Sequence, residues 1–251
     1  MTPLPDAAAA IAGAITGSFI ATLCVRWSRG EQATVGRSRC DSCNRELSAV
    51  ELVPIVSSIH TGGRCRTCGA QIPRLHHGIE IAAALLAAIA VALQPNVHGA
   101  ALAVFWLLLL APAVLDARHH WLPDPLTMVL GGAGLLAGGV ATGAPLVDRL
   151  IGGAAGFLAL WMIALAYRHT CGREGLGAGD PKLLGAIGLW TGWAPLPAIL
   201  LIAALAGIGA AVVQGRSRLD RMPFGTMLAG AAVVWTGVLA ARSSLDGAQL
   251  F

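Results

Sequence analysis

The stretch Gly175-Leu176-Gly177-Ala178-Gly179-Asp180-Pro181-Lys182-Leu183-Leu184 decides how the rest of the chain is interpreted. A glycine-rich loop brings one carboxylate, that of Asp180, to the start of an apolar segment. A charged side chain at a membrane boundary is costly, so an ionisable residue there indicates a functional site. An aspartate followed by a proline is also a common helix start, and helix capping is an equal explanation for Asp180 taken alone.

The composition around this stretch is typical of a membrane protein. Hydrophobic residues make up 56% of the 251 residues and charged residues 12%, whereas a soluble domain carries about 25% charge. Because so little polar surface is available, the sequence predicts an all-α polytopic membrane protein. The net charge of +4 lies in the loops and does not indicate a nucleic-acid partner.

Eight apolar runs predict about eight transmembrane helices, although a span takes about 20 residues and the sixth run is short. The runs cover residues 6–25, 79–93, 99–115, 126–143, 150–167, 183–193, 196–213 and 224–240. No basic region precedes the first run, and Arg26 and Arg29 follow it. This pattern predicts an uncleaved anchor with its N-terminus outside.

The basic residues in the gaps support the same orientation. With the N-terminus outside, only Arg149 and Arg242 fall outside, as the positive-inside rule requires. The basic residues assigned to the cytoplasm are Arg26, Arg29, Arg37, Arg39, Arg45, Arg64, Arg66, Arg74, Arg118, Arg168, Arg173, Lys182, Arg216, Arg218 and Arg221. The predicted domains are a first transmembrane helix (1–25), a cytoplasmic loop (26–77) and a transmembrane core (78–251).

This topology predicts that two carboxylates lie at one membrane face. Asp116 follows the third run as it reaches the cytoplasm, and Asp180 precedes the sixth run as it leaves. If the two meet, one keeps its proton while the other acts as a base, which is the chemistry of peptide hydrolysis. A boundary role stays open for each: Asp116 as a partner of Arg118, and Asp180 as a helix cap. Asp124, before Pro125, has the same capping explanation.

Two Cys-x-x-Cys pairs lie in the predicted cytoplasmic loop. Their cysteines are Cys40, Cys43, Cys65 and Cys68. The spacing is typical of a four-thiolate zinc site, which leaves no open coordination position and is therefore structural rather than catalytic. Asn44 and Gly69 follow the two pairs and tolerate the turn that such a site needs. Structural disulfides are rare in the cytoplasm, so the alternatives to a metal site are redox-active dithiols and free thiols.

Several of these motifs together resemble the type IV prepilin peptidases, which are Gly-x-Gly-Asp intramembrane aspartyl proteases. The resemblance extends over nearly the whole chain. It is carried by the following segments: Gly17-Ser18-Phe19-Ile20, Leu52-Val53-Pro54-Ile55-Val56-Ser57, Gly63-Arg64-Cys65-Arg66-Thr67-Cys68-Gly69, His77-Gly78-Ile79-Glu80, Asp116-Ala-Arg-His-His-Trp-Leu-Pro-Asp124, Gly177-Ala178-Gly179-Asp180-Pro181-Lys182-Leu183-Leu184 and Pro223-Phe224-Gly225.

The resemblance implies a membrane aspartyl endopeptidase of the bacterial inner membrane. Asp116 and Asp180 would be its catalytic pair, and Gly177, Gly179 and Lys182 would support the loop and the substrate. The implied substrates are the basic leaders of type IV prepilins or type II secretion pseudopilins, which are cut at the cytoplasmic face. Members of this family often also methylate the new N-terminus with S-adenosylmethionine, but no residue pattern here identifies a site for that methyl donor.

Two readings from other classes stay open on the residues alone. A proton-coupled transporter would use Asp116 and Asp180 as a relay, but transporters place such groups near the midplane and often contain inverted repeats. A non-enzymatic assembly factor for secretion would need the zinc loop and neither aspartate. The sequence predicts nothing about oligomeric state.

Overall fold

A computed structural model describes residues 4–32, 37–173, 175–215 and 222–248. The basic residues Arg216, Arg218 and Arg221 of the topology prediction lie outside these ranges. The helices of the described chain are α1 (Leu4–Trp27), α2 (Val56–Thr61), α3 (Arg74–Leu93), α4 (Val97–His119), α5 (Asp124–Thr142), α6 (Leu146–Cys171), α7 (Asp180–Thr191), α8 (Leu196–Val213) and α9 (Phe224–Ala248). A single 3₁₀ turn, Ala49–Leu52, precedes α2.

The predicted all-helical membrane fold is confirmed. Each of the eight apolar runs forms a helix, and seven of these helices are long and apolar enough to cross a membrane. The exception is α7, whose 12 residues extend about 18 Å, against about 30 Å of hydrocarbon. In the described residues the only extended pairing is two isolated bridges in the loop before α3.

The chain divides into two compact units, Met1–Val91 and Ala92–Phe251. In the first unit, α1 packs against α3 through Gly13 and Gly17. A Cβ on Gly13 would lie 2.5 Å from the carbonyl oxygen of Ala83, and one on Gly17 would lie 2.9 Å from the Cα of Glu80. Small residues four apart allow this close approach of two apolar helices. The predicted division at residues 25 and 77 concerns membrane topology and stays a prediction.

The short helix α7 forms the centre of the second unit. It packs against α5, α6 and α9, and ten of its twelve residues are buried. Glycines make the contact with α6 very close: a Cβ on Gly188 would overlap the carbonyl oxygen of Gly152. Because α7 is enclosed by protein, it does not need the length of a membrane span.

Aromatic side chains fix the position of α4 beside α7. The rings of Phe105 and Trp190 stack with their centroids 4.7 Å apart. The indole Nε1 of Trp190 donates to the carbonyl oxygen of Leu130 in α5 at 2.8 Å, and that of Trp106 donates to Thr236 Oγ1 in α9 at 2.9 Å. Buried indoles whose N–H is satisfied in this way hold neighbouring helices in one register.

Both aspartates that precede a proline begin a helix, but neither caps it. The N-cap residues are Pro123 for α5 and Gly179 for α7, and neither cap makes a side-chain hydrogen bond. The capping explanation for Asp124 and Asp180 is therefore wrong. The carboxylate of Asp124 instead pairs with Lys182, and that of Asp180 accepts a hydrogen bond from Gly177.

Candidate functional site

Asp116 lies within α4, which continues to His119 beyond the end of the apolar run. Only 5% of Asp116 is exposed. Its Oδ2 accepts a hydrogen bond from the backbone N–H of Thr226 at 2.8 Å, and the Thr226 hydroxyl lies 3.2 Å from the same oxygen. Thr226 is in the first turn of α9, whose free N–H groups and dipole stabilise a negative charge.

Asp180 is the first residue of α7 and is 4% exposed. Its Oδ2 accepts from the backbone N–H of Gly177 at 3.0 Å, and its own N–H donates to the Gly177 carbonyl at 3.1 Å. The carboxylate therefore turns back toward the glycine loop rather than along α7. The loop itself is exposed at Gly175, Gly177 and Ala178.

Two independent observations bring Asp116 and Asp180 to the same place. Starting from the stacked Phe105 and Trp190, Asp116 is 11 residues along α4, or about 16 Å, and Asp180 is 10 residues back along α7, or about 15 Å. Leu122, six residues after Asp116, lies against Gly179, the residue before Asp180, so both aspartates lie at the same end of the two helices. The two carboxylates also interact electrostatically.

Leu122 fills the space beside both carboxylates. A Cβ on Gly179 would lie 2.5 Å from Leu122 Cβ, and a Cβ on Gly225 would lie 2.7 Å from Leu122 Cδ1. The same Cβ on Gly225 would lie 3.1 Å from Asp116 Oδ2. The segments 116–124, 177–184 and 223–225 therefore meet around one leucine, and any side chain at Gly179 or Gly225 would displace it.

Two buried carboxylates that share one site do not both ionise readily, so a pair of this kind can hold one proton between its two members. Such a pair presents a base and an acid to the same bound group. The arrangement can activate a water molecule and protonate a leaving nitrogen.

The other predicted site residues surround this pair. The N–H of Gly177 donates to the Asp180 carboxylate, and the absence of a side chain at Gly179 leaves room for Leu122. Lys182 lies outside the pair, with its Nζ 2.6 Å from Asp124 Oδ1 in an exposed salt bridge that ties the start of α7 to the start of α5. Arg118 is exposed, and within the described chain no ion pair joins it to Asp116, so the boundary-pair explanation for Asp116 is wrong.

The contact that the sequence did not predict is the one from Thr226. The segment Pro223-Phe224-Gly225 belongs to the family resemblance, which implies no role for it. Thr226 is 110 residues from Asp116 in the chain, and no local pattern signals a contact over that separation. A threonine two residues after a helix start was the available signal, because such a position exposes free N–H donors.

The four cysteines of the loop form one cluster. Their Sγ atoms all lie within 4.8 Å of one another. The Cys40–Cys68 pair is 3.8 Å apart and the Cys43–Cys65 pair 4.0 Å, whereas four sulfurs placed 2.3 Å from one zinc ion are about 3.8 Å apart. All six cysteines of the chain are free of disulfides. The donor set and its spacing fit a tetrahedral metal.

The cluster is built from two copies of the same turn, 25 residues apart. The N–H of Asn44 donates to the carbonyl of Cys40, and that of Gly69 donates to the carbonyl of Cys65, each at 2.9 Å. Asn44 and Gly69 have φ values of 58° and 70°, as predicted for residues that follow each pair. A left-handed residue at this point turns the chain so that both sulfurs face one centre.

The surroundings of Cys65 favour its thiolate form. Backbone N–H groups of Cys68 and Thr67 lower the pKa of the Cys65 thiol to about 6. Arg45 lies 4.0 Å from Cys65 Sγ and pairs with Glu51 at 2.6 Å, which holds the pKa of Glu51 at about 2. Desolvation and the neighbouring cysteines raise the pKa of the Cys68 thiol to about 11. The cluster thus favours a thiolate at Cys65, and a metal ion would displace the protons of the other thiols.

Replacing Cys65 and Cys68 with serine should remove bound zinc. We expect about one zinc per chain in the purified protein and about none in the double variant, because a structural site requires all four thiolates. Elemental analysis of the detergent-solubilised protein measures this. Cys171→Ser, which removes an exposed cysteine outside the cluster, should leave the zinc content unchanged. A double variant that still holds one zinc would contradict the site.

Comparison with known proteins matches both parts of the chain. Residues 11–94 match the bacterial peptidase A24 N-terminal domain, and residues 102–212 match the type IV leader peptidase family. Three relatives carry the name prepilin leader peptidase/N-methyltransferase. The one from Burkholderia pseudomallei (strain K96243) is 44% identical over 81% of this chain and 68% of its own. Those from Aeromonas hydrophila and Pseudomonas aeruginosa are 39% identical (80% and 72%) and 37% identical (79% and 71%). No solved structure matches the chain.

Proposed function

Because the chain belongs to the type IV leader peptidase family, we propose that it is a membrane aspartyl endopeptidase that removes the leader peptides of type IV prepilins or type II secretion pseudopilins. The names of its relatives support prepilins as the substrate class. The observation that carries the proposal is the pair of buried carboxylates, Asp116 in α4 and Asp180 in α7, whose surroundings meet at Leu122.

In this proposal the two aspartates hydrolyse the peptide bond without a covalent intermediate. The ionised carboxylate takes a proton from a water molecule, which attacks the scissile carbonyl carbon. The protonated carboxyl group donates a hydrogen bond to the carbonyl oxygen. Collapse of the tetrahedral intermediate breaks the C–N bond as the leaving nitrogen takes the proton that the base carboxylate had accepted from the water.

Hydrogen bonding does not separate the roles of the two carboxylates. Asp116 accepts the N–H of Thr226 in the first turn of α9, and Asp180, the first residue of α7, accepts the N–H of Gly177. Because each carboxylate accepts a backbone N–H and lies near the start of a helix, we assign the base to the pair and not to one residue. The pair titrates as one unit, and the proton moves between the two during the reaction.

The glycine loop beside Asp180 is suited to an extended peptide. Its residues Gly175, Gly177 and Ala178 are exposed and carry almost no side chain, so a substrate backbone approaches the carboxylates without steric hindrance. We infer that Gly177 and Gly179 act in this way, and that Lys182 supports the loop through Asp124.

We also propose a location for the chemistry. The seven long apolar helices support a multi-pass protein of the bacterial inner membrane. Because α7 ends beside Ala144 and Asp148, at the end of α5 opposite to Asp124, it takes the chain to the opposite face although it is short, and the distribution of basic residues then supports an N-terminus outside. Both aspartates and the cysteine loop would then be on the cytoplasmic side. Zinc held by Cys40, Cys43, Cys65 and Cys68 would have a structural role, with all of its coordination positions filled. Methylation of the new N-terminus with S-adenosylmethionine is a second proposed activity.

A cleavage assay tests the proposed peptidase. Purified protein in detergent would be mixed with a full-length prepilin, and the products would be weighed by mass spectrometry. One cut that releases an intact leader is the expected result. A prepilin that stays uncleaved by folded, zinc-loaded protein would contradict the proposal.

Thr226→Val should slow cleavage and change its pH dependence. Valine keeps the backbone N–H and the shape but loses the hydroxyl, whose single proton is shared between Asp116 Oδ2 at 3.2 Å and the Ala113 carbonyl oxygen at 2.9 Å. We expect kcat/KM to fall about tenfold, the usual effect of one lost hydrogen bond to a charged group. The acidic limb of the pH–rate profile should move to higher pH, because the ionised carboxylate loses a stabilising group.

Two further variants separate this role from a loss of folding. Thr226→Ser restores the hydroxyl and should recover both the rate and the pH profile. Thr16→Val removes an exposed hydroxyl that bonds only within α1 and should change neither. If Thr226→Val reduced the rate with an unshifted acidic limb, the contact with Asp116 would not be what matters.

A further inference from the structure

A cavity of about 420 Å³ lies inside the first unit, between α1, the cysteine loop and α3. Ligand-binding cavities in proteins have volumes of about 300–1,000 Å³. The peptidase chemistry proposed for Asp116 and Asp180 does not use this cavity, because both residues belong to the second unit.

Two polar stripes on otherwise apolar helices line the cavity. Ser18, Thr22 and Arg26 are spaced four residues apart on α1, and His76 and Glu80 are spaced four apart on α3. Residues at this spacing share one helix face. Polar and charged side chains on membrane helices are costly unless they serve a site, so the stripes indicate that the cavity takes a polar ligand.

Glu80 is a buried carboxylate with few partners; His76, one turn before it on α3, is an ionisable side chain on the same helix face. Glu80 is 6% exposed, and in the described chain it accepts one hydrogen bond, from the N–H of Ile55 at 2.9 Å, and forms no ion pair. Ile55 makes this contact from the left-handed region, with φ 62°, where a β-branched residue is strained. Strain of this kind persists where a fixed geometry is used. A buried carboxylate that accepts a single hydrogen bond is stabilised by a cationic ligand.

Two other lining groups complete a recognition pattern. Arg26 is half-buried and has no ion pair among the described residues, so it is available to a carboxylate. Phe19 is 50% exposed and offers a ring face on which a nucleobase can stack. A ligand that suits all three groups carries a cation, a carboxylate and an aromatic base.

We propose that this cavity binds S-adenosylmethionine, with Glu80 facing its cationic groups, Arg26 its carboxylate and Phe19 its adenine. This inference rests on the proposed methylation activity. When bound, the ligand supplies a methyl group to a neutral amine: the N–C bond forms as the S–C bond breaks, the positive charge passes to nitrogen, and a neutral thioether leaves. Glu80 and Arg26 hold and orient the ligand.

Equilibrium dialysis of the full-length protein against methyl-labelled S-adenosylmethionine tests the site. We expect about one ligand per wild-type chain. Glu80→Gln, whose amide oxygen still accepts from Ile55, should weaken binding about tenfold or more, because it removes the counter-charge. Phe19→Ala should weaken it by a similar factor through the lost stacking. Glu31→Gln, an exposed glutamate outside the cavity, should bind like the wild type.

The outcomes separate this site from the proposed peptidase. Glu80→Gln should retain prepilin cleavage and zinc, and Asp116→Asn should lose cleavage and retain ligand binding. A wild type that cleaves prepilin but does not bind S-adenosylmethionine overturns the cavity proposal and leaves the peptidase standing. Binding that neither Glu80→Gln nor Phe19→Ala weakens also overturns it, because the ligand would then bind elsewhere. Absent cleavage alongside normal binding contradicts the peptidase alone.

Discussion

Asp116→Asn and Asp180→Asn should each lower prepilin cleavage by about 10²- to 10⁴-fold, the range typical of a lost general acid or base. An asparagine at either position fills the same space and keeps an oxygen for its hydrogen bond, from Thr226 or from Gly177. It cannot hold or release the shared proton. Cleavage of a full-length prepilin, followed by mass spectrometry under single-turnover conditions, measures the loss in the chemical step.

The matched control is Asp148→Asn. Asp148 lies beside Gly192, at the end of α7 opposite to Asp180 and about 18 Å away along the helix, so its carboxylate does not take part in the pair. This variant should cleave at the wild-type rate. All three variants should keep their zinc and unfold at similar temperatures. A substantial rate in either Asp116→Asn or Asp180→Asn would sink the two-carboxylate mechanism.

The helices could be predicted from the sequence because each apolar run is a local signal. The ends of the helices could not. The apolar run before Asp116 ends at Leu115, yet α4 continues to His119, because the backbone hydrogen bonds of a helix do not require apolar side chains. This extension puts Asp116 inside a helix and fixes where its carboxylate lies.

The candidate site could be predicted only in part. Topology was enough to suggest that Asp116 and Asp180 lie at one depth, since both flank apolar runs. It could not reveal that Asp180 bonds back to Gly177 instead of capping α7, because both arrangements suit an aspartate before a proline. The contact from Thr226 and the position of Leu122 depend on tertiary packing between distant segments, which has no local sequence signal.

The same limit applies to the length of α7. Twelve residues are too few to cross the membrane, and the sequence alone leaves such a run unexplained. In the structure, glycines of α6 and α7 let the two backbones approach closely, since a Cβ on Gly188 would overlap the backbone carbonyl group of Gly152. Packing of this kind stabilises helices in a membrane, where apolar side chains gain little by leaving lipid. It also holds Asp180, because α7 carries that residue at its first position.

Gly188→Ala should therefore destabilise the protein and impair cleavage together. The added methyl group would meet the backbone of α6 and not a flexible side chain that could move aside. The helix α7 must therefore move away from α6. Overpacking of this kind costs about 1–3 kcal/mol, which lowers the midpoint of thermal unfolding by roughly 2–12 °C, and kcat should fall because Asp180 moves with the helix.

Gly207→Ala, where an added Cβ meets nothing within 4 Å, makes the same chemical change in a helix with room for it. That control should be neutral or slightly stabilising, since alanine favours helices by up to about 1 kcal/mol over glycine. If Gly188→Ala behaved like Gly207→Ala, close packing of α7 would not be what positions Asp180.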